Sequence, residues 1–327
     1  MSATIGTTRR GVLGGALALA AAPAVAQAAF PERPIRFIVP FGTGGATDIV
    51  ARSFSQRLTE LLGWTIAVEN RPGAGGNLGA EQAARAPADG HTWLLGTVGI
   101  VATNPLLYRD MPFDPQRDLR AVGLLGALPN LLVVGPGVPA RTLPELLAVA
   151  RSRPAGLTFS SSGNGTTSHL SGELLRLMSG ANLVHVPYRS AGQAHTDIIA
   201  GRIDFTVDNL PAVIGFARGG QMTPIAVTGA ARDPALPGIP TIAEAGLPGY
   251  EATSWFALML PAGVPAPVAA RIEAAMRRVL ADEALVNGWR QRGIAVGDRF
   301  GAAFESFAEA ERIRWRDVIT RGGITLG

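Results

Sequence analysis

The stretch IRFIVPFGTGGATD, residues 35–48, decides how the rest of the chain is interpreted. Its beginning predicts a buried strand, which Pro40 ends because proline has no amide hydrogen to donate. The glycines that follow let the backbone turn and leave no side chain in the way of a small molecule. Thr47 or Asp48 is predicted to cap a helix, whose apolar positions have helical spacing: Val50, Phe54, Leu58 and Leu61. Because free amides at a helix start attract anions, the stretch predicts an anion site, with an ordinary strand-to-helix turn as the alternative.

The composition excludes several classes of protein. The chain has 327 residues, 47% of them hydrophobic and 17% charged, which suffices for one large domain or two ordinary ones. Its formal charge of +4 becomes +2 (4 − 2) without Arg9 and Arg10, which lie in a segment that we expect to be removed. Every basic residue is Arg, and no run of Arg is interleaved with aromatic residues, so nucleic acid is not an expected partner. The chain has no Cys, which excludes disulfides, thiolate chemistry and Cys-bound metals.

Residues 1–28 have the pattern of an export signal peptide. Arg9 and Arg10 form a positive start, an apolar run of small residues follows, and Ala26-Gln27-Ala28 resembles a cleavage site. The stretch TRRGVL, residues 8–13, also resembles a twin-arginine export signal. An amphipathic or disordered tail, the alternative, fits poorly because the apolar run lacks polar residues. We therefore expect export, with cleavage near Ala28.

Strand-like runs alternate with helical patterns along the chain, which is typical of an α/β sheet protein. Residues 121–126 and 130–134 are predicted as separate strands because Pro129 lies between them, and Thr142 with Glu145 predicts a capping box. The first unit has a counterpart in FSSSGNGTT, residues 159–167, which again reads as strand, small-residue loop and capped helix. Two such units suit a ligand held between two lobes. Since long Gly/Pro linkers are missing, we expect paired strands to join the lobes.

The motifs of common enzymes are missing. Both glycine-rich loops lack the third glycine of a dinucleotide-binding fingerprint, no Lys can complete a phosphate loop, and no Gly-x-Ser-x-Gly elbow is present. The four His residues show no metal-ligand spacing with acids, so no metal site is predicted. Asp48 and Asp208 could act as acid or base, but each could equally be a helix cap or a turn ligand. The sequence therefore favours binding over catalysis, with no catalytic residue and no cofactor.

Five segments together resemble the Bug family, the TctC-like solute receptors of tripartite tricarboxylate transporters. In order, they are PIRFIVPF with GGATD (34–48), VENRPGAGG (68–76), ADGHT (88–92), HVPYR (185–189), and the series AVT, PT and EAGLPGY between residues 226 and 250. The matches cover nearly the whole chain after the export signal, in the order of the family. The resemblance implies an α/β, two-lobed periplasmic binding protein fold (Venus flytrap, type II-like) with a ligand cleft between the lobes. Residues 29–129 plus 252–327 would form lobe 1, and residues 130–251 would form lobe 2.

The family also implies which residues hold the ligand. Its ligands are small carboxylates, bound by backbone amides, hydroxyls and waters rather than by Arg side chains. By position, the first wall of the cleft would be Phe41, Gly44, Gly45, Thr47 and Asp48, with Thr97 and Gly99 beside it. The second wall would be Ser161, Ser162, Gly163, Thr166, Thr167 and His169, and Tyr188 and Asp208 would line the cleft from lobe 2. Two departures concern ligand identity: Arg189-Ser190 stands where the family often has Lys-Gly, and residues 97–100 are rather apolar.

The resemblance implies a periplasmic receptor that captures a small organic acid and delivers it to transporter subunits in the membrane. The acid could be a mono- or dicarboxylate, an amino acid or an aromatic acid. A ligand-sensing module for a signalling partner is one alternative. An exported enzyme with Asp48 or Asp208 as a base is another, although the sequence offers no activated nucleophile.

Overall fold

A computed structural model describes residues 1–3 and 30–325 of the chain. Apart from its first three residues, the predicted export signal lies outside the described residues. The elements in chain order are β1 (Ile35–Val39), α1 (Ala46–Leu62), β2 (Ile66–Asn70), α2 (Asn77–Ala84), β3 (Thr92–Thr97), α3 (Asn104–Leu107), β4 (Leu119–Val134), α4 (Leu143–Ser152), β5 (Leu157–Ser161), α5 (Thr167–Ser179), β6 (Leu183–Pro187), α6 (Ala191–Ile199), β7 (Phe205–Asn209), α7 (Leu210–Arg218), β8 (Thr223–Val227), β9 (Thr253–Pro261), α8 (Ala266–Leu280), α9 (Glu283–Arg290), β10 (Ala295–Val296) and α10 (Gly301–Gly322). A 3-10 turn spans Ala74–Gly76, and a π-helical turn spans Gly99–Thr103.

The strands form two sheets that share β4. In the first sheet, β1 lies between β2 and β3 and is parallel to both, and β9 pairs antiparallel with β3 and β4. In the second sheet, β5 lies between β6 and β7, parallel to both, and β4 pairs antiparallel with β7 and β8. The first part of β4 pairs with β9 and β10, and its last five residues pair with β7 and β8. One strand therefore belongs to both halves of the molecule.

The predicted break at Pro129 is wrong, because β4 runs through this residue without interruption. Amides along a strand point alternately to its two edges, and the amide of Asn130 points to Thr228, whose hydroxyl accepts it at 2.8 Å. The missing amide of Pro129 therefore faces the opposite edge. On that edge, pairing with β10 ends at Ala127, and pairing with β7 begins at Asn130. Proline is tolerated because no ladder bond is needed at its position.

The chain returns to the first sheet directly beside this crossing. Thr228 donates its amide to the Asn130 carbonyl at 2.9 Å, and Ala252 donates its amide to the Thr228 carbonyl at 2.9 Å. Thr253 then pairs with Pro129 at the start of β9. Both connections between the sheets are therefore extended and hydrogen-bonded side by side.

Helices cover both faces of the first sheet. Phe37 of β1 packs on Phe54 of α1, with ring centroids 6.5 Å apart, in a core that also contains α8 and α9 residues. Ile38, the next residue of β1, points to the other face and belongs to a core with residues of α2 and α10. This two-sided burial explains why Phe37, Ile38 and Val39 are apolar in succession instead of alternating with polar residues. Among the described residues, no helix combines the length and the apolar character needed to cross a membrane.

Candidate functional site

The first loop of the candidate site joins β1 to α1. The helix begins at Ala46, and its N-cap is Gly45, so the predicted cap by Thr47 or Asp48 is wrong. Asp48 lies in the first turn, is buried, and accepts the Gly44 amide at 3.2 Å, which fixes the loop. Gly44 has a φ of 82°, a left-handed conformation that favours glycine. The loop therefore places the start of α1 at the carboxyl end of β1. The first amides of the helix make no hydrogen bond to this loop.

The second loop joins β5 to α5 in the same way. Thr166 is the N-cap, and its hydroxyl accepts the His169 amide at 3.3 Å and donates to the Gly163 carbonyl at 2.6 Å. Ser168 accepts the Ser162 amide at 3.1 Å and so ties the loop to the first turn. The predicted strand–loop–capped-helix unit is confirmed here.

The two loops face each other across a cavity with about 510 Å³ of empty space, counted to its open mouth. The cavity lies at the carboxyl ends of parallel strands in both sheets, where α/β proteins usually bind ligands. Its lining consists of Phe41, Gly42, Gly45, Ala46, Thr47, Thr97, Val98, Gly99, Ser162, Thr166, Thr167, Ser168, Ala191, Asp208, Asn209, Ser254, Trp255 and Phe256.

The helix starts present partial positive charge to the cavity without cationic side chains. Among the described residues, none accepts a hydrogen bond from the amides of Ala46 and Thr47 in α1, or of Thr167 and Ser168 in α5. Such amides carry the positive end of the helix dipole. A carboxylate that reached them would accept charge-assisted hydrogen bonds.

Asp208 is the one charged side chain among the described residues that line the cavity. It is buried at the end of β7, and its carboxylate contacts His195 Nε2 at 2.9 Å and accepts the Asn209 amide at 2.7 Å. His195 is 1% exposed. The carboxylate is therefore held in place by its neighbours and presents a fixed acceptor to the cavity.

A buried polar network lies beneath the cavity where β4 passes between the sheets. Asn209 donates from Nδ2 to Asn130 Oδ1 at 2.5 Å and to Ser254 Oγ at 2.7 Å. Asn130 donates from Nδ2 to Ser171 Oγ at 2.8 Å, and the Thr167 and Ser254 hydroxyls are bonded to each other. The network connects a residue at the start of α5 with the strands that join the two sheets.

Three further contacts connect the two halves around the cavity. Thr103 donates its hydroxyl to the Gly165 carbonyl at 2.8 Å, and Tyr108 donates to the Asn164 carbonyl at 3.2 Å. Burial raises the pKa of Tyr108, so its hydroxyl stays protonated as the donor. Ser190 donates to the Thr43 carbonyl at 3.4 Å. The halves therefore touch on both sides of the cavity, in a closed arrangement.

Nine of the fifteen predicted site residues line the cavity: Phe41, Gly45, Thr47, Thr97, Gly99, Ser162, Thr166, Thr167 and Asp208. The other six lie outside the lining: Gly44, Asp48, Ser161, Gly163, His169 and Tyr188. Four of them support the loops, since Gly44 bonds Asp48 and the Gly163 amide donates to Ser161 Oγ at 3.1 Å. Tyr188 instead donates to Asp197 Oδ2 at 2.8 Å, and burial together with this carboxylate raises its pKa to about 12.

His169 supports the second loop from behind. Its Nδ1 accepts the Gly165 amide at 3.2 Å, and its ring packs against the His185 ring with centroids 4.2 Å apart and a tilt of 31°. His185 Nε2 contacts Ser161 Oγ at 2.6 Å. Burial, and then the proximity of His169, lowers the pKa of His185 to about 3, and burial also lowers the pKa of His169. Both rings are therefore neutral near pH 7 and act as hydrogen-bonding supports of the loop.

Nine of the lining residues were not among the predicted site residues: Gly42, Ala46, Val98, Ser168, Ala191, Asn209, Ser254, Trp255 and Phe256. Two of them could have been predicted from sequence patterns. Asn209 directly follows Asp208 at the end of a strand, and Ser254 is a polar residue in an otherwise apolar run. Ala191 comes from the start of α6, which only the tertiary fold brings to the cavity. Within residues 1–3 and 30–325, no group of three or more acidic or His side chains is arranged to hold a metal ion.

The fold and the cleft define a class of protein: two-lobed α/β binding proteins of the periplasmic type. The sequence model of the tripartite tricarboxylate transporter family receptor, TctC, matches residues 50–324. The chain therefore belongs to the TctC family of receptors.

Solved structures of related proteins share the fold. The structure of R. palustris Rpa4515 with adipate is 38% identical, with a TM-score of 0.88, and the match covers 90% of this chain and 99% of that one. Periplasmic binding protein BugD is 30% identical, with a TM-score of 0.87 and coverage of 90% and 99%. MatC from Rhodopseudomonas palustris with bound malate is 31% identical, with a TM-score of 0.84 and coverage of 89% and 100%. The family and the fold expected from the sequence are both confirmed.

Proposed function

We propose that this protein is an extracytoplasmic solute receptor that closes on a small organic carboxylate and delivers it to a tripartite tricarboxylate-type transporter. Lobe 1 would comprise residues 29–129 plus 252–327, and lobe 2 residues 130–251. The membership of the strands in two sheets that share β4 supports this division. Export to the periplasm, with the signal removed near Ala28, is part of the proposal, and the description of BugD as a periplasmic binding protein supports it.

The observation that carries the proposal is the pair of helix starts that face one cavity from opposite lobes. The amides of Ala46 and Thr47 would bind the ligand from lobe 1, and those of Thr167 and Ser168 would bind it from lobe 2. Each amide–carboxylate bond contributes roughly 1.5–3 kcal/mol. After the costs of ordering and desolvation, several such bonds support binding in about the micromolar range.

Closure follows from this geometry. A ligand that bonds to both lobes interacts more strongly with the closed arrangement than with an open one, and this differential affinity shifts the equilibrium toward closure. The nine predicted residues that line the cavity would contact the ligand or its bound waters. The other predicted residues would act by holding the two loops in place, except Tyr188, whose hydroxyl is taken by Asp197.

The proposed role is binding without chemistry, so no catalytic residue, metal or cofactor is assigned. Asp208 would serve as a fixed hydrogen-bond acceptor, because His195 and the Asn209 amide already hold its carboxylate. The adipate of Rpa4515 and the malate of MatC support a carboxylate, and in particular a dicarboxylate, as the ligand of this chain.

Thermal unfolding with a panel of acids tests the proposal. The protein without its export signal is heated alone and with adipate, malate, tricarboxylates, amino acids or aromatic acids. A ligand at 100 times its dissociation constant stabilises the folded state by about 2.7 kcal/mol, which raises the midpoint measurably. We expect a shift with one class of acid.

Adipamide is the matched control for adipate, since it has the same length and no negative charge. A shift with adipate and none with adipamide supports recognition of the carboxylate by the helix starts. Equal shifts with both compounds, or none with any acid of the panel, would contradict the proposed function.

A further inference from the structure

Gly42 and Ser190 face each other where the two lobes meet at the mouth of the cavity. A Cβ placed on Gly42 would lie 2.8 Å from Ser190 Cβ, 3.1 Å from Ser190 Oγ and 3.3 Å from the Arg189 carbonyl oxygen. Contacts of a Cβ atom below 3.0 Å essentially never occur. Residue 42 must therefore be glycine for the lobes to approach this closely while residue 190 is serine.

The backbone of Gly42 does not itself require glycine. Its φ is not among the positive values, unlike that of its neighbour Gly44 at 82°. The three nearest atoms to an added Cβ all belong to Arg189 and Ser190, which lie between β6 and α6 on the opposite side of the cleft. An alanine at position 42 would therefore suit lobe 1 alone and would conflict only with the closed arrangement.

The hydroxyl of Ser190 does not cap its own helix. It is the N-cap of α6, a position where a serine hydroxyl normally accepts an amide of its own helix. Here the hydroxyl makes no such bond and instead donates across the cleft to the Thr43 carbonyl at 3.4 Å. The serine thus makes its hydrogen bond with the opposite lobe.

The contact also borders the ligand cavity. Gly42 lines the cavity from lobe 1, and Ala191, the residue after Ser190, lines it from lobe 2. We propose that Gly42 and Ser190 are a size-matched pair that determines how completely the lobes close, and thereby how tightly the receptor holds its ligand. The link to affinity rests on the proposed function, whereas the closing contact itself does not.

Crosslinking tests the contact without a ligand. The chain has no Cys, so Thr43→Cys and Gln193→Cys would introduce the two reactive thiols at exposed positions on either side of the mouth. The rate of crosslinking by a short bismaleimide then measures how often the lobes close. Four proteins are compared in this background: the parent, Gly42→Ala, Ser190→Gly, and the double variant.

We expect Gly42→Ala to slow crosslinking about tenfold, as over-packing of a close contact does, and Ser190→Gly to leave it within about twofold. The double variant should return to within about twofold of Ser190→Gly, because the two nearest conflicting atoms, Ser190 Cβ and Oγ, are gone. The Arg189 carbonyl oxygen at 3.3 Å remains and needs to move by only a few tenths of an ångström. Gly192→Ala is the control from the same contact, since its added Cβ would lie 3.5 Å from the Thr43 carbonyl oxygen, an ordinary distance, and should change nothing.

Three results would overturn the proposal: a parent that never crosslinks, a Gly42→Ala variant as fast as the parent, or a double variant as slow as Gly42→Ala. Equal unfolding midpoints of all variants exclude misfolding as the cause. The acid panel is then repeated on the four proteins without the cysteines, where affinity should follow the crosslinking rate. If no acid binds but the crosslinking series holds, the proposed function fails and the closing contact stands.

Discussion

Asn130→Ala removes the centre of the polar network where β4 passes between the sheets. The Asn130 side chain is fully buried and bonds to Ser171 Oγ at 2.8 Å and Asn209 Nδ2 at 2.5 Å, with longer bonds to the Thr167 carbonyl at 3.4 Å and Ser254 Oγ at 3.3 Å. The substitution leaves Ser171 Oγ without its bonded partner and Asn209 with fewer. Since an orphaned buried polar group costs about 1–3 kcal/mol, we expect a total loss of about 3 kcal/mol in the free energy of unfolding.

Urea denaturation, followed by tryptophan fluorescence and by circular dichroism, measures this loss. Asn182→Ala is the matched control, because Asn182 is exposed and makes a single side-chain bond, to the Pro154 carbonyl at 3.2 Å. Its cost should stay below about 1 kcal/mol. If Asn130→Ala costs no more than Asn182→Ala, the network does not stabilise β4 where it passes between the sheets, contrary to this prediction.

Three further predictions concern the loops and the closed arrangement. Asp48→Ala frees the Gly44 amide and also removes the bonds of the carboxylate to Arg52 Nε at 2.9 Å and Asn70 Nδ2 at 3.0 Å. It should weaken binding of the acid found in the thermal panel about tenfold and cost about 1–3 kcal/mol in the free energy of unfolding; equal affinities by calorimetry would contradict the effect on binding. Thr103→Val removes the bond to the Gly165 carbonyl between the lobes and should weaken binding about threefold to tenfold at an unchanged unfolding midpoint, with unchanged affinity as the contrary result. Burial lowers the pKa of His185 from 6.5 to about 3, so the unfolded chain takes up the proton first; stability is full above pH 6.5 and declines as the pH falls toward 3. His185→Gln should flatten this decline between about pH 7 and 5 in thermal unfolding, and an identical pH profile would show that this ring does not contribute.

Local patterns in the sequence were sufficient to predict the loops of the site. Strand, glycine-rich turn and helix start follow one another within about fifteen residues, so neighbouring residues determine their geometry. The predicted capping box of α4 is confirmed, with the Glu145 amide 3.4 Å from Thr142 Oγ1 and the Thr142 amide 3.1 Å from Glu145 Oε2. The predicted cap of α1 was wrong because the sequence does not distinguish an acidic residue in the first turn of a helix from one at its N-cap. The chain turns at Gly45, and Asp48 reaches back to the loop.

Contacts between distant parts of the chain could not be predicted in this way. Ser254 reaches the cavity because β9 returns to the first sheet more than a hundred residues after β4, which no short pattern encodes. Pro129 was misread because its effect depends on which edge of the strand lacks a partner, and this is a property of the assembled sheet. The two-lobed fold was predicted from the resemblance to a family. The Gly42–Ser190 contact depends on how the two lobes are placed against each other, so it could not be predicted from the sequence.

The sharing of β4 has a consequence for how the receptor can be divided or engineered. A cut between residues 129 and 130 would divide the single strand β4 and leave each half with an incomplete strand. Neither lobe is therefore expected to fold when it is expressed alone with this boundary. Unlike domains on a flexible tether, the lobes are expected to unfold in one cooperative step. A reporter domain that is inserted to detect ligand binding should therefore be placed in an exposed loop far from β4, where it leaves this shared strand intact.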